Sequence, residues 1–281
     1  MSIKTWLVRG DCHGIFTWMK NGCLDEYNPE ETAIIILGDA GINFWLNTKD
    51  TRLKKELESR GYYLYCVRGN HEERPQNIPS MQLIEDDSVQ GEVYIEPEFP
   101  HIRYFKDYGL YIIDGLRVGV IGGAYSVDKR YRLMRAGVQD KFNPDYFNPK
   151  KTGWFPQEQL SIAEMEAAAS LFVNQSVDFM FSHTCPIDWE PNDLFLGAIN
   201  QSTVDKSMEI WLGELKNNLA WGIWCFGHFH ADRLERPFVE QYYNNIENLW
   251  DIYQRWEEYK ITQEVEWYLP KSPNFYSSLA F

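Results

Sequence analysis

The sequence predicts an α/β fold, and three observations carry that prediction. Five short apolar runs each end at a polar or potentially metal-binding residue. Segments with helical patterning fall between them. An Asp114-Gly115 pair separates two further apolar runs, as in an antiparallel hairpin. Runs of this length and apolarity read as buried strands, and α/β sheets place their ligand sites beyond the carboxyl ends of strands.

Taken in order, Thr5 to Val8 leads into Gly10-Asp11, Ala33 to Leu37 into Gly38-Asp39, and Tyr62 to Val67 into Gly69-Asn70-His71. Leu110 to Ile113 and Leu116 to Ile121 form the hairpin, followed by a loop opened by Gly122-Gly123. Asp178 to Phe181 leads into Ser182-His183, and Gly222 to Phe226 into Gly227-His228. Helices are expected at Asp50 to Glu58, Pro156 to Val173 and Val204 to Asn217. The middle one has proline in its first turn and the run Ala167-Ala168-Ala169, both favourable to helix. From Tyr242 to Glu266 the chain is dense in Trp, Tyr, Glu and Asn, and Trp250, Tyr253, Trp256 and Tyr259 recur along one helical face. Residues 1–235 are thus expected to form the motif-bearing domain. Residues 236–281 are expected to form an aromatic-rich appendage packed on it, with a homodimer contact through this segment as the alternative.

Composition narrows the function. A chain of 281 residues, 44% hydrophobic and 24% charged, is an ordinary globular protein of one large domain or two small ones. Aromatic residues reach 16%, which an aromatic-rich core explains and an aromatic-lined cleft would use. The net charge of −14 argues against duplex nucleic acid as the main partner, because such binding rests on Lys and Arg. It leaves phosphate-containing small molecules open, since bound divalent ions reverse the local field. The five cysteines are odd in number and form no C-x-x-C pair, which points to a reducing compartment and buried thiols rather than a disulfide framework. The sequence shows no signal-peptide pattern and no stretch near the ~20 apolar residues needed to cross a bilayer. A cytoplasmic protein without a membrane partner is the expectation.

Five of the six histidines, His13, His71, His183, His228 and His230, sit beside Asp, Asn and Gly at predicted strand ends; only His101 does not. Asp11 and His13 can reach one centre if the backbone turns there. The two oxygens of Asp39 can bridge two cations. Asn70 offers a neutral carbonyl oxygen, and His183, His228 and His230 offer imidazole nitrogens. Mixed nitrogen and oxygen donors without thiolate suit Mn, Fe, Zn, Ni or Co better than Ca or Mg. Seven ligands, one shared, serve two divalent transition-metal ions with positions open for water and substrate. Two metals ~3.5–4 Å apart form a clamp for displacement at phosphorus, with a bridging hydroxide as nucleophile. His71, next to Asn70, is the expected general acid.

The set Asp11-Cys12-His13, Gly38-Asp39, Gly69-Asn70-His71-Glu72, His183 and Gly227-His228-Phe229-His230 resembles the calcineurin-like metallophosphoesterases. Each motif alone is weak; all five in this order, spanning Trp6 to His230, make the resemblance specific. It implies a four-layer α-β-β-α sandwich of two mixed β-sheets flanked by helices. It also implies one metal on Asp11, His13, Asp39 and His230, and a second on Asp39, Asn70, His183 and His228, with Mn the first expectation. The chain departs from the family after Asp39. Ile42 stands where many members place a second Asp that orients the catalytic His, and Asn43 stands where the protein phosphatases carry a phosphate-gripping Arg. Asn43 or Glu72 is then expected to support His71. Lys129 or Arg130, in the loop after Gly122-Gly123, is expected to contact substrate phosphate.

The expected activity is metal-dependent hydrolysis of phosphoric mono- or diesters, on a small phosphoester or nucleotide. A nuclease or cyclic-nucleotide phosphodiesterase is a second reading, and an inactive phosphoesterase-like binding scaffold a third.

Overall fold

The computed structural model describes residues 3–197 and 199–263. The chain runs through β1 (Thr5–Arg9), β2 (Thr32–Ile36), α1 (Thr48–Glu58), β3 (Tyr63–Cys66), β4 (Gln82–Asp86), β5 (Gly91–Glu96) and β6 (Phe99–Phe105). It continues through β7 (Tyr108–Ile113), β8 (Leu116–Ile121), α2 (Lys129–Arg135), α3 (Pro149–Thr152), α4 (Ile162–Phe172), β9 (Ser176–Ser182), α5 (Ser207–Lys216) and β10 (Ala220–Phe226). The described chain closes with β11 (Arg233–Arg236), β12 (Val239–Gln241), β13 (Ile246–Asn248) and α6 (Leu249–Gln263). One sheet has the order β13-β1-β2-β3-β6-β5-β4, the other β11-β12-β10-β9-β8-β7. Both are mixed. In the first, β1, β2, β3 and β6 are mutually parallel. In the second, β8, β9, β10 and β12 are.

Side-chain alternation along these strands sorts the core into three slabs. Trp6 and Val8 of β1, Ala33 and Ile35 of β2, Val118 and Val120 of β8, Phe179 and Phe181 of β9, and Ile223 and Cys225 of β10 share one buried cluster between the sheets. Their neighbours one residue along point the other way. Leu7, Ile34, Ile36 and Leu64 pack with Leu57 of α1 on the outer face of the first sheet. Ile121, Met180, Trp224 and Phe226 pack with Met165 and Phe172 of α4 and Trp211 and Leu215 of α5 outside the second. Helix, sheet, sheet and helix are therefore the four layers. Strands buried on both faces must be apolar throughout, which is why these runs were continuous in the sequence. Each fully buried aliphatic or aromatic side chain contributes ~1.5–3 kcal/mol.

Several boundaries differ from the sequence expectation for identifiable reasons. Helix α4 starts at Ile162, behind a Ser161–Glu164 capping box, and not at Pro156. The carbonyls of Gln157, Glu158 and Gln159 are instead taken by the guanidinium groups of Arg74 and Arg68. Helix α5 starts at Ser207, after a 3-10 turn at Gln201–Thr203. The hairpin of β7 and β8 turns at Asp114 and Gly115, with φ of 51° and 85°. Strands β4 to β6 had no counterpart in the sequence reading. Beyond residue 235, β12 pairs with β10 and β13 with β1, and Leu249, Ile252 and Trp256 join the cluster between the sheets. Residues 264–281 of the C-terminal segment lie outside the described residues. Among the described residues no helix is long and apolar enough to cross a membrane, and all five cysteines are free, four of them buried.

Candidate metal centre

The carboxyl ends of parallel strands from both sheets meet at one edge of the sandwich. Asp11 and His13 follow β1, Asp39 follows β2, and Asn70 and His71 follow β3. From the other sheet, Ser126 lies beyond β8, His183 follows β9, and His228 and His230 follow β10.

The local backbone is unusual here. His13, Asp39, His228 and His230 have φ of 47°, 46°, 69° and 54°. They make up four of the nine non-glycine residues with positive φ among the described residues. Such conformations cost free energy and persist where the surroundings enforce them, which is a mark of functional sites. The surroundings are visible. Asp39 Oδ1 accepts the His71 backbone N–H at 2.8 Å, and Asp11 Oδ1 accepts the His228 backbone N–H at 2.9 Å. The two carboxylates thus tie loops of different strands together while facing the cluster.

The side-chain donor atoms form two overlapping groups. In the first, Nε2 of His13 and of His230 lie 2.9 Å apart, and Asp11 Oδ2 lies 3.3 Å from His230 Nε2 and 3.7 Å from His13 Nε2. Asp11 Oδ2 is buried yet makes no hydrogen bond of acceptable geometry. In the second, His183 Nε2 lies 2.9 Å from Asn70 Oδ1 and 3.7 Å from Asp39 Oδ1. Asp39 stands between the groups, its Oδ2 being 3.8 Å from His13 Nδ1. Ligand atoms of Asp11, His13 and His230, and equally of Asp11, Asp39 and His183, lie within 4.8 Å of one another.

The donor chemistry fits a cation. His183 Nδ1–H donates to the Leu37 carbonyl at 2.9 Å, and the Asn70 amide nitrogen donates to Ser126 Oγ at 2.8 Å. These partners fix the tautomer and the amide orientation. The Nε2 lone pair of His183 and the Oδ1 lone pairs of Asn70 then face each other with no proton between them. Two ligands bound ~2.1 Å from one ion at 90–109° stand ~3.0–3.4 Å apart, close to the spacing found in both groups. Ser126 sits in a polar loop and sequence pattern alone does not single it out, although a hydroxyl is what an amide needs to hold its oxygen inward.

The charges are tuned to match. Burial alone would raise the Asp39 and Asp11 carboxyls, but the neighbouring imidazoles outweigh it and hold both below the usual range. Loss of solvent, with His183 beside it, pushes the His228 imidazole down to about 3. It is therefore neutral at physiological pH, as a ligand must be. The His228 ring packs against the His183 ring with centroids 5.0 Å apart.

The supports expected for His71 are arranged otherwise. Glu72 Oε1 accepts the Gly69 backbone N–H at 2.8 Å, and burial lifts its carboxyl to about 8. The backbone carbonyl of Asn43 accepts the Glu73 backbone N–H at 3.0 Å. The contacts of His71 Nε2 are instead Asn70 Nδ2 at 3.3 Å and Arg132 Nη2 at 3.5 Å. The cation beside the cluster is therefore Arg132 of α2. It is anchored by Asp128 Oδ2 at 2.7 Å and the Gly153 carbonyl at 2.9 Å. Lys129 lies over the Trp154 ring, 4.0 Å from its centroid, and Arg130 lines a separate cavity with Thr203 and Val204. The i,i+4 spacing of Asp128 and Arg132 was the available signal for this contact.

No protein-family model matches the chain, and no curated protein was found to match it.

Proposed function

We propose that the protein is a metal-dependent phosphoesterase with a dinuclear centre, of the kind its likeness to calcineurin-like metallophosphoesterases implies. The observation that carries this reading is the convergence of Asp11, His13, Asp39, Asn70, His183 and His230 from five loops of two sheets, with Asp39 between the two groups of donor atoms and the His228 ring packed on that of His183. A first ion would sit among Asp11, His13, Asp39 and His230, and a second among Asp39, Asn70, His183 and His228. When bound, the pair supplies Lewis-acid polarisation of the phosphoryl oxygens and an activated water nucleophile.

The chain's own residues do the rest. Asp39, Asn70, His71, His228 and His230 line one cavity, so an ester at the centre meets the His71 ring directly. Burial, with Arg132 alongside, holds His71 below the ordinary imidazole value, against the pull of Asp39. A phosphoryl dianion placed within a few ångströms favours the protonated ring, which can then give its proton to the leaving oxygen. Arg132 is placed to meet the same dianion with a charge-assisted hydrogen bond. The donor set suits Mn, Fe, Zn, Ni or Co, and Mn is taken first on the family resemblance.

The test is metal content and hydrolysis together. Purified protein should hold about two transition-metal ions per chain and cleave a chromogenic phosphoester in Mn²⁺. Asp39→Asn should lower kcat by more than the ~10–100-fold typical of outer-shell losses. Full activity in strong chelator, or an active Asp39→Asn variant, contradicts the mechanism.

A further inference from the structure

The cavity that opens from the cluster has a second half that the metal chemistry does not use. It holds about 500 Å³ and continues from Asp39, Asn70, His71, His228 and His230 to a wall of Tyr125, Leu194, Phe195, Leu196, Ile199 and Phe229. This volume lies within the ~300–1,000 Å³ of small-molecule sites. Leu196 is 63% exposed and Leu194 37% exposed, so the wall is apolar surface left open beside a polar centre. The Phe195 ring is held in place: it lies 6.4 Å from the Phe229 ring at 30°, and the Lys206 ammonium sits 4.7 Å from its centroid.

Of the acidic residues on this cavity, two are paired with cations and a third accepts a hydrogen bond on one oxygen. Glu190 pairs with Lys206 at 2.7 Å, Asp128 pairs with Arg132 at 2.7 Å, and Glu209 accepts from Thr184 Oγ1 at 2.8 Å. Lys206 is held by Glu190 and lies against the Phe195 ring, so the wall presents no spare cation to a second phosphate. What it offers is aromatic faces and aliphatic edges, the surface on which a planar ring stacks.

Building on the phosphoesterase reading, we infer that this wall binds the planar ring of the substrate, so that the preferred substrates are small nucleoside or aryl phosphoesters. His71 lines the same cavity, so the ring-bearing group leaves on the side where the proton is delivered. A chain of phosphodiesters, with a charge at every step, would meet apolar wall and paired carboxylates there.

The experiment compares a nucleoside 5′-monophosphate with ribose 5-phosphate in Mn²⁺, since the two share a leaving oxygen and differ by the base. The wild type should favour the nucleotide in kcat/KM by roughly tenfold, the fold-change of one base–aromatic stack. Phe195→Ala should bring the nucleotide down to the ribose ester while leaving the ribose ester unchanged, and Leu196→Ala should move it part of the way. Equal kcat/KM for the two substrates in the wild type, or a preference that survives Phe195→Ala, overturns the inference while leaving the phosphoesterase standing. If neither ester is cleaved, saturation-transfer NMR with adenosine decides the cavity independently of turnover. Binding in the wild type that is lost in Phe195→Ala supports the ring site, and absence of binding removes it.

Discussion

Replacing Gly38 by alanine should disable the centre by moving a ligand it does not itself provide. A Cβ built on Gly38 falls 2.0 Å from His183 Nδ1 and 2.4 Å from its Cγ, where no real contact is possible. The residue also has φ of +96°, which an L side chain resists. The backbone contribution is ~1–2 kcal/mol. Overpacking a buried site adds ~1–3 kcal/mol, and losing the bond from His183 to the Leu37 carbonyl adds ~1 kcal/mol. The total is about 3–6 kcal/mol, less than the stability of a domain in the middle of the ~5–15 kcal/mol range, so the variant should still fold there. Gly115→Ala is the control, because its φ is +85° and nothing lies within 4 Å of the added Cβ. It should lose only the backbone part. Urea unfolding in chelator measures both, and metal analysis of the untreated proteins should show Gly38→Ala depleted and Gly115→Ala full. Equal losses in the two variants, with metal retained in Gly38→Ala, would refute the close-packing argument.

Two further perturbations address charge. Arg132→Ala should lower kcat/KM by ~10–100-fold, the worth of a hydrogen bond to a charged group, with metal content unchanged and partial recovery in Arg132→Lys. Lys129→Ala and Arg130→Ala make the comparison, and a loss confined to either of those would return the phosphate contact to the loop residues first expected to make it. Glu209 sets a pH dependence of stability. Burial raises its carboxyl from 4.5 to about 7, so the fold favours the protonated form. The associated stability is fully present below pH 4.5 and is lost as the pH rises through about 7. Glu209→Gln keeps the acceptor for Thr184 and should be more stable than the wild type above that range, by roughly 3 kcal/mol at most. An unchanged pH slope in the variant would show that the buried carboxyl is not the source.

The strands leading to the cluster were legible because they are buried on both faces, leaving Leu7, Ile34, Phe181 and Cys225 no freedom to be polar. The same condition hid β4, where Gln82, Leu83 and Glu85 are exposed at the sheet edge and the pattern gives no continuous run. Helix α4 was legible and its start was not, because Pro156 is a weaker signal than the Ser161–Glu164 box that does begin it. The residues facing the cluster could be named from the strand ends. Their mutual order could not: that Arg132 and not Arg130 reaches His71 depends on α2 forming at Lys129–Arg135, a short segment whose one buried residue is Leu133.

The glycines that precede the motif residues acquire a physical meaning from this packing. A Cβ on Gly69 would fall 2.0 Å from Asp39 Oδ1, and one on Gly227 would fall 2.4 Å from Asp11 Oδ1. With Gly38 against His183, each glycine makes room for a side chain supplied by another strand end. Gly69, on the loop after β3, receives the carboxylate from β2. Gly38, after β2, receives the imidazole from β9 in the opposite sheet, and Gly227, after β10, receives the carboxylate from β1. The contacts cross between the sheets in both directions, so neither sheet can set the donor positions alone. A glycine in Gly38-Asp39, Gly69-Asn70-His71 and Gly227-His228-Phe229-His230 is therefore a requirement for packing these Asp and His side chains together, over and above any need for a flexible turn.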